Sequence, residues 1–381
     1  MALSSVLDDE NNMTKGNRRA HQTVMTKPGL LELPTGVRLV YLAEGRANVV
    51  FRFMPAKNAD DSSLLPLHLE AKLLRLRKET PSALPCEEIS RHFDDVIRPM
   101  FAPEELVDQW LVRLPGSLVH ECNERLRASE RSGERPAKRR GVYLSTAEPM
   151  GLLVTDMTTF ETPGFSLLEL KPKWLLQSPS APLGSRQCRS CALRAMRNHE
   201  ARQVVIGELE GLEEEGQRRS FCPLDLVSDD FEDVVHASRH VKGCSDPQRL
   251  ARILYRNRTL LRLREHQAAM KDVGLHGPQP RSSEQSLAMA LRDCTMFIRV
   301  GDIHIFFDGD LAANTQILLQ LPHDDRLPVE IRLGDLDLKI GSGDKARYWL
   351  ELEMRLIREG WYAGSRVEET CHVECSMGRY Q

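Results

Sequence analysis

The stretch LLELKPKWLL, Leu167–Leu176, sets charges at every second position of an apolar run and a proline between two lysines. In an extended chain successive side chains face opposite ways. Leu168, Leu170, Pro172 and Trp174 therefore share one side, and Glu169, Lys171 and Lys173 share the other. A half-buried strand with a solvated face has this pattern. Pro172 donates no backbone hydrogen bond, so it belongs at a sheet edge or where the strand leaves its sheet, a place where functional side chains are presented.

Upstream, two β-favouring runs, 37–42 and 49–53, flank the turn-forming link AEGRAN and predict a hairpin with a functional tip. The segment 67–79 fits helix or strand, and 105–129 has helical spacing. GLLVTDMTTF at 151–160 reads as a buried strand leading toward the opening motif. Downstream, Asp246 followed by Pro247 predicts a helix start, an N-cap and a first-turn proline, running through QRLARILYRNRTLLRLREHQAAM. MFIRVGDIHIFF reads as a hairpin around Gly301 and Asp302, and LPVEIRLGDLDLKI as a strand ending in acid. Residues 1–28 are polar and aperiodic and are expected to be a disordered tail.

At 381 residues the chain has room for about two domains. Its 52 Lys and Arg against 55 Asp and Glu leave a net charge of -3, which gives no general affinity for nucleic acid. Nine scattered cysteines without a dense framework, and a start that lacks a signal-peptide pattern, point to the nucleus and/or the cytoplasm. No apolar run is long enough to span a bilayer, so no membrane partner is expected.

The near-neutral total hides segregated blocks. Residues 186–202 hold five Arg against one Glu, 208–215 hold five Glu, and 239–264 hold eight Lys or Arg against Asp246. Arg249, Arg252 and Arg256 would line one face of a helix, either solvated or ready to bind phosphate oxygens in bidentate fashion.

Phosphoryl transfer needs a loop over the nucleotide phosphates, a cation at the transferred group, a carboxylate for magnesium and a base toward the acceptor. AEGRAN offers the loop, and Arg75 or Lys72 a cation nearby. Asp293 lies where a helical pattern gives way to a strand, and Asp335 and Asp337 lie at a strand end. Each is as readily a turn former or a cap when taken singly, but together they offer a base and a magnesium ligand.

These motifs, EGRAN at 44–48, LLVTDMTTF at 152–160, ELKPKW at 169–174, CPLDL at 222–226, ALRDCTMFI at 290–298 and DLDLK at 335–339, occur in the order found in the inositol-pentakisphosphate 2-kinases. The chain resembles a fungal member of that family. The resemblance implies an α+β fold of two lobes: a small sheet-containing N-lobe over 29–156, binding nucleotide, and a larger mixed C-lobe over 157–381, binding inositol phosphate. It implies transfer of the γ-phosphate of ATP to the 2-hydroxyl of inositol pentakisphosphate, with ATP and Mg2+ required and the chain acting as a monomer.

Carried over by resemblance, Lys171 is the catalytic lysine and Asp293 the base. Gly45, Asn48, Arg75 and Asp156 meet the nucleotide, and Asp335 holds magnesium. Lys173, Arg139, Arg194, Arg262, Lys339 and Tyr348 meet substrate phosphates. Arg194 stands at a lysine position of the family and Ser190 near a histidine position. Arg256, Arg258 or Arg262 stands in for an Asn-Asn-x-Arg segment, and Lys345 and Tyr348 follow an insertion after DLDLK. The zinc site of some members has no counterpart between Cys244 and Cys294. Cys188 and Cys191 form a lone C-x-x-C and Cys371, His372 and Cys375 a terminal group, so no zinc is expected.

A pentakisphosphate brings on the order of -8 to -10 of charge, which local basic blocks on a near-neutral chain suit. The other reading is a module that grips an inositol phosphate, or RNA, without chemistry. Lys171, Asp293 and Asp335 separate the two, because a binder needs neither base nor metal carboxylate.

Overall fold

The computed structural model describes residues 30–55, 65–80, 84–158, 165–205, 221–271, 283–301, 329–338, 343–364 and 375–379. The expected tail, the acidic block at 208–215, Asp302, Lys339, the Lys345 side chain, Cys371 and His372 lie outside the described residues.

Among the described residues, alternating apolar runs build the larger of two sheets. β1 (Leu31–Glu32), β2 (Arg38–Glu44), β3 (Asn48–Met54), β4 (Lys72–Arg77), β5 (Gln109–Arg113) and β6 (Met150–Thr155) pair in the order β1-β5-β6-β4-β3-β2. Only β1 and β5 run parallel. The predicted hairpin is β2–β3, with a bulge between Tyr41 and Ala43. The ambiguous run at 67–79 resolves as a 3-10 turn, Leu67–Leu69, followed by β4.

The helix expected over 105–129 is instead β5, a break at Pro115 and Gly116, and then α2 (Leu118–Arg131). The apolar positions of QWLVRL fit either period, and pairing with β6 decides for strand. α1 (Cys86–His92) and α2 cover opposite faces of this sheet. Leu74, Leu76 and Leu153 pack with Leu118 and Leu126 on one side, and Leu73, Leu152 and Val154 pack with Cys86 and Ile89 on the other. That two-sided cover explains the unbroken apolar run of β6.

The second sheet has three antiparallel strands, β7 (Phe165–Leu170), β8 (Thr295–Gly301) and β9 (Val329–Gly334). Its core is shared with α4 (Phe231–Arg239), α5 (Pro247–Leu254), α6 (Arg258–Ala269) and α7 (Ser283–Leu291), through Leu168, Leu170, Val234, Leu250, Leu263 and Ile298 among others. Asp246 does cap α5, accepting from the Arg249 amide.

The long basic helix expected to continue from Pro247 is two helices. Arg256 takes a left-handed backbone (φ 52°), and Asn257 caps α6 by accepting from the amides of Thr259 and Leu260. The Arg249, Arg252, Arg256 stripe is thereby broken. α3 (Arg189–Val205) and α8 (Gly343–Arg358) meet around Trp361 and Tyr362, and a short α9 (Ser376–Arg379) follows. Leu106 bridges Leu333, and the Val107 amide donates to the Leu333 carbonyl at 2.8 Å, joining the two sheets.

Candidate active site

β7 is an edge strand, and its last pair is Leu170 with Met296; Pro172 cannot extend the ladder. Buried and part-exposed residues continue to alternate beyond it, with Pro172 and Trp174 inward and Lys171 and Lys173 outward. Lys173 sits at φ 59° and Asp335, just past β9, at φ 58°, a conformation costly for residues with a side chain and concentrated at functional sites.

The buried Gln267 side chain of α6 fixes this segment. Its Oε1 accepts from the Leu175 amide at 2.9 Å, and its Nε2 donates to the carbonyls of Lys173 (2.9 Å) and Leu291 (3.0 Å). One amide thereby ties the lysine segment to the turn that carries Asp293.

The outcome is a line of alternating charge. Lys173 Nζ donates to Asp293 Oδ1 at 2.7 Å. Lys171 Nζ donates to the Asp293 carbonyl at 2.9 Å and to Asp335 Oδ2 at 3.2 Å, and lies 3.7 Å from Asp293 Oδ1. The four side chains are 40 to 45% exposed, so all are open to a ligand. The partners of the two lysines are thus Asp293 and Asp335. Two residues on, Asp337 Oδ1 accepts from Arg75 Nη2 of β4 at 3.0 Å, carrying the line across to the larger sheet.

At the Lys173 end opens a cavity of about 620 Å3. Lys171, Lys173 and Asp293 line it, with Arg189, Arg194 and Arg197 from α3, Arg292 from the α7–β8 turn, and Lys242. Ser190 and Tyr348 also face it. Its back wall is Trp174, buried between two guanidinium groups, with Arg292 Cζ 4.1 Å and Arg189 Cζ 4.7 Å from the ring centroid. Burial, and then the charge of Arg189, push the Arg292 guanidinium down to about 10. Glu353 anchors Arg189 at 2.9 Å, and Arg292 Nη2 donates to the Met270 carbonyl at 3.0 Å. Arg194 Nη2 donates to the Phe221 carbonyl at 2.5 Å, while its buried Nη1 has no hydrogen-bond partner among the described residues.

On the larger sheet the β2–β3 tip is held from below. The Gly45 amide donates to the Asn48 carbonyl at 2.9 Å, and Lys78 Nζ donates to the Gly45 carbonyl at 3.0 Å while pairing with Glu44. Arg135 binds both Glu44 oxygens, at 2.8 and 2.9 Å. All three side chains are buried. Burial alone would raise the Glu44 carboxyl, but its bonds to Arg135 and Lys78 hold it below the usual carboxylate value. Arg139 stands close enough for its charge to act on Tyr41 and Lys78. At the exit of β6, Asp156 Oδ1 accepts from the Thr158 amide at 2.7 Å and Arg52 lies 3.9 Å from Oδ2.

The structure thus gathers Lys171, Lys173, Asp293, Asp335, Arg194 and Tyr348 at one place, with Arg75 joined to it through Asp337. Gly45, Asn48 and Asp156 lie along the larger sheet and Arg139 beside the hairpin. Arg262 does not reach the cavity. It is paired with the buried Glu105. Of the segment 239–264, His240, Val241 and Lys242 line the cavity, and Lys242 is the one of its eight Lys and Arg that does. The sequence reading missed Arg189, Arg197, Arg292 and Gln267. Arg292 adjoins Asp293, which was a usable signal; Gln267 acts through the fold and gave none.

A family model described as inositol-pentakisphosphate 2-kinase matches residues 41–269 and 245–355. A protein of Yarrowia lipolytica named inositol-pentakisphosphate 2-kinase is 26% identical over 342 residues, covering 84% of this chain and 91% of its own length. Both the charged line and the cavity fall inside the matched span, and the chain belongs to the inositol-pentakisphosphate 2-kinase family and is a phosphotransferase.

Proposed function

We propose that the chain transfers the γ-phosphate of ATP to the 2-hydroxyl of inositol 1,3,4,5,6-pentakisphosphate, giving inositol hexakisphosphate and ADP. The observation that carries this reading is the position of Asp293: it borders a polycationic cavity on one side and meets Lys171, itself bonded to Asp335, on the other. An acceptor hydroxyl in the cavity would face a carboxylate base, with a lysine beside the group in flight. A non-catalytic module would have no use for that order.

In this mechanism Asp293 takes the proton of the 2-hydroxyl as its oxygen forms a bond to the γ-phosphorus and the bond to the ADP oxygen breaks. Lys171 offers its ammonium to the transferring phosphoryl oxygens, and Lys173 holds a substrate phosphate. Arg194, Tyr348 and Arg139 contribute further phosphate contacts, joined by Arg189, Arg197 and Arg292.

Gly45 and Asn48 at the hairpin tip, with Arg75 and Asp156, serve the nucleotide. The larger sheet with its two helices is the proposed nucleotide lobe, 29–156, and residues 157–381 form the inositol phosphate lobe. Asp335 is a half-exposed oxygen donor two residues from Asp337, which suits a magnesium ion held by one or two carboxylates and nucleotide phosphates. When bound, magnesium neutralises charge on those phosphates during transfer.

Purified protein given MgATP and inositol pentakisphosphate, with products separated by anion exchange, tests the reading. Formation of the hexakisphosphate supports it; none across varied pH and magnesium refutes it.

A further inference from the structure

The underside of the β2–β3 tip holds buried charge that the proposed mechanism leaves unused. Lys78, just past β4, is 1% exposed and reaches the tip twice: its amide donates to the Ala47 carbonyl at 2.8 Å, and its Nζ donates to the Gly45 carbonyl at 3.0 Å. Glu44 pairs with the same ammonium. Arg135 spans both Glu44 oxygens, donates from Nη2 to the Val142 carbonyl at 2.6 Å and pairs through Nη1 with Glu130. Two cations thus meet two carboxylates, and the group is neutral as a whole. Paired and hydrogen-bonded in this way, the charges stay buried without a partner from outside.

Ion pairing with Glu44 does not by itself call for the bond from Lys78 to Gly45. That bond sets the direction of one peptide group. No peptide bond is cis among the described residues, and in a trans peptide the carbonyl and the N–H that follows it point opposite ways. With the Gly45 carbonyl turned down onto Lys78 Nζ, the Arg46 amide is turned up, away from the protein. Gly45, Arg46 and Ala47 are exposed, and the Arg46 amide has no acceptor among the described residues. An outward backbone donor at a turn is a group that phosphate oxygens take. Rotation of the 45–46 peptide would exchange the two ends and set a carbonyl against the phosphates. The Lys78 ammonium opposes that rotation.

We infer that Lys78, held in place by Glu44 and Arg135, is a positioning residue that keeps the Arg46 amide aimed at the nucleotide phosphates. The inference rests on the nucleotide role of the tip proposed above. Lys78 is too deeply covered to touch a ligand, so it acts through the loop backbone, on phosphate affinity and not on the acceptor or the base.

Equilibrium binding of ATP, ADP and adenosine to the full-length protein separates this role from a purely structural one. Lys78→Met keeps an unbranched side chain and removes the bond to Gly45. Its Kd for ATP and ADP is expected to rise about 10-fold, the loss of one hydrogen bond from a charged donor, with Kd for adenosine and KM for inositol pentakisphosphate unchanged. A lysine that serves the fold alone would lower the folded fraction and leave all three affinities of the folded protein as in wild type; that result overturns the inference. A wild-type measurement stands even if the variant does not fold. Residue-resolved hydrogen exchange is expected to show the Arg46 amide protected by ATP and not by adenosine, and equal exchange with and without saturating ATP overturns the inference as well. Wild type that binds no ATP removes the nucleotide reading and this inference with it, whereas ATP binding indifferent to Lys78→Met removes this inference alone.

Discussion

Replacing Gln267 by methionine keeps nearly the same volume but removes three hydrogen bonds to backbone: the Leu175 amide and the Lys173 and Leu291 carbonyls. Gln267 is 2% exposed, so water does not readily replace them. At about 1 to 3 kcal/mol for each buried group left unsatisfied, partly relieved by local relaxation, the loss comes to about 3 to 6 kcal/mol. The expected urea midpoint falls by about 1 to 2 M.

The same bonds hold Lys173 at positive φ and set the turn before Asp293. Under conditions where circular dichroism shows full folding, kcat is therefore expected to drop by about 10-fold or more, because misplacing reacting groups by an ångström is costly. KM for ATP should hold, since Gly45, Asn48 and Asp156 lie elsewhere. A variant with wild-type midpoint and wild-type kcat would refute the claim that this one amide assembles the site.

Lys171→Ala and Asp293→Ala are each expected to lower kcat by about 100-fold or more with an unchanged circular dichroism spectrum; activity retained in either would mean the roles are misassigned. Gly334→Ala would set a Cβ 2.9 Å from Phe297 Cε2 and 3.2 Å from Val107 Cγ2. It should cost about 1 to 3 kcal/mol and displace Asp335, raising the magnesium needed for half-maximal rate. Glu44 has a folded pKa below its usual value of 4.5, so its bonds to Arg135 and Lys78 stabilise the fold above that value. This contribution fades as pH falls from about 4.5 through the lowered folded value. Glu44→Gln should therefore be less stable than wild type at neutral pH and flatten the acid limb of a melting-temperature profile; a wild-type profile would contradict this.

Elements with strong local determinants were readable from the chain. Asp246 and Pro247 announce α5 whatever surrounds them, and 37–53 can do little but turn back on itself as β2–β3. Misreadings fell where two periods fit the same letters. QWLVRL became β5 because β6 was there to pair with it, and the basic helix broke because Asn257 could cap a new one.

The residues of the charged line stood out because ELKPKW is a specific motif and Asp293 and Asp335, undiagnostic singly, follow it in the family's order. The cavity wall was not: Arg189 and Arg292 reach it by clasping Trp174, a contact that depends on three separate segments. Charge blocks were a mixed guide: 186–202 supplies Arg189, Arg194 and Arg197 to the cavity, whereas most of 239–264 faces elsewhere, as Arg262 does on Glu105.

The alternation Lys173, Asp293, Lys171, Asp335 has a consequence for how the enzyme divides its work. The line sums to zero, so the reacting groups hold one another in place before any ligand arrives and exert little long-range pull. Attraction of a polyanion falls instead to Arg189, Arg194, Arg197, Lys242 and Arg292 around the adjoining cavity. In the proposed mechanism, capture thus falls mainly on side chains other than Lys171 and Asp293, which do the chemistry. Added salt should weaken capture steeply and leave the turnover of bound substrate nearly untouched.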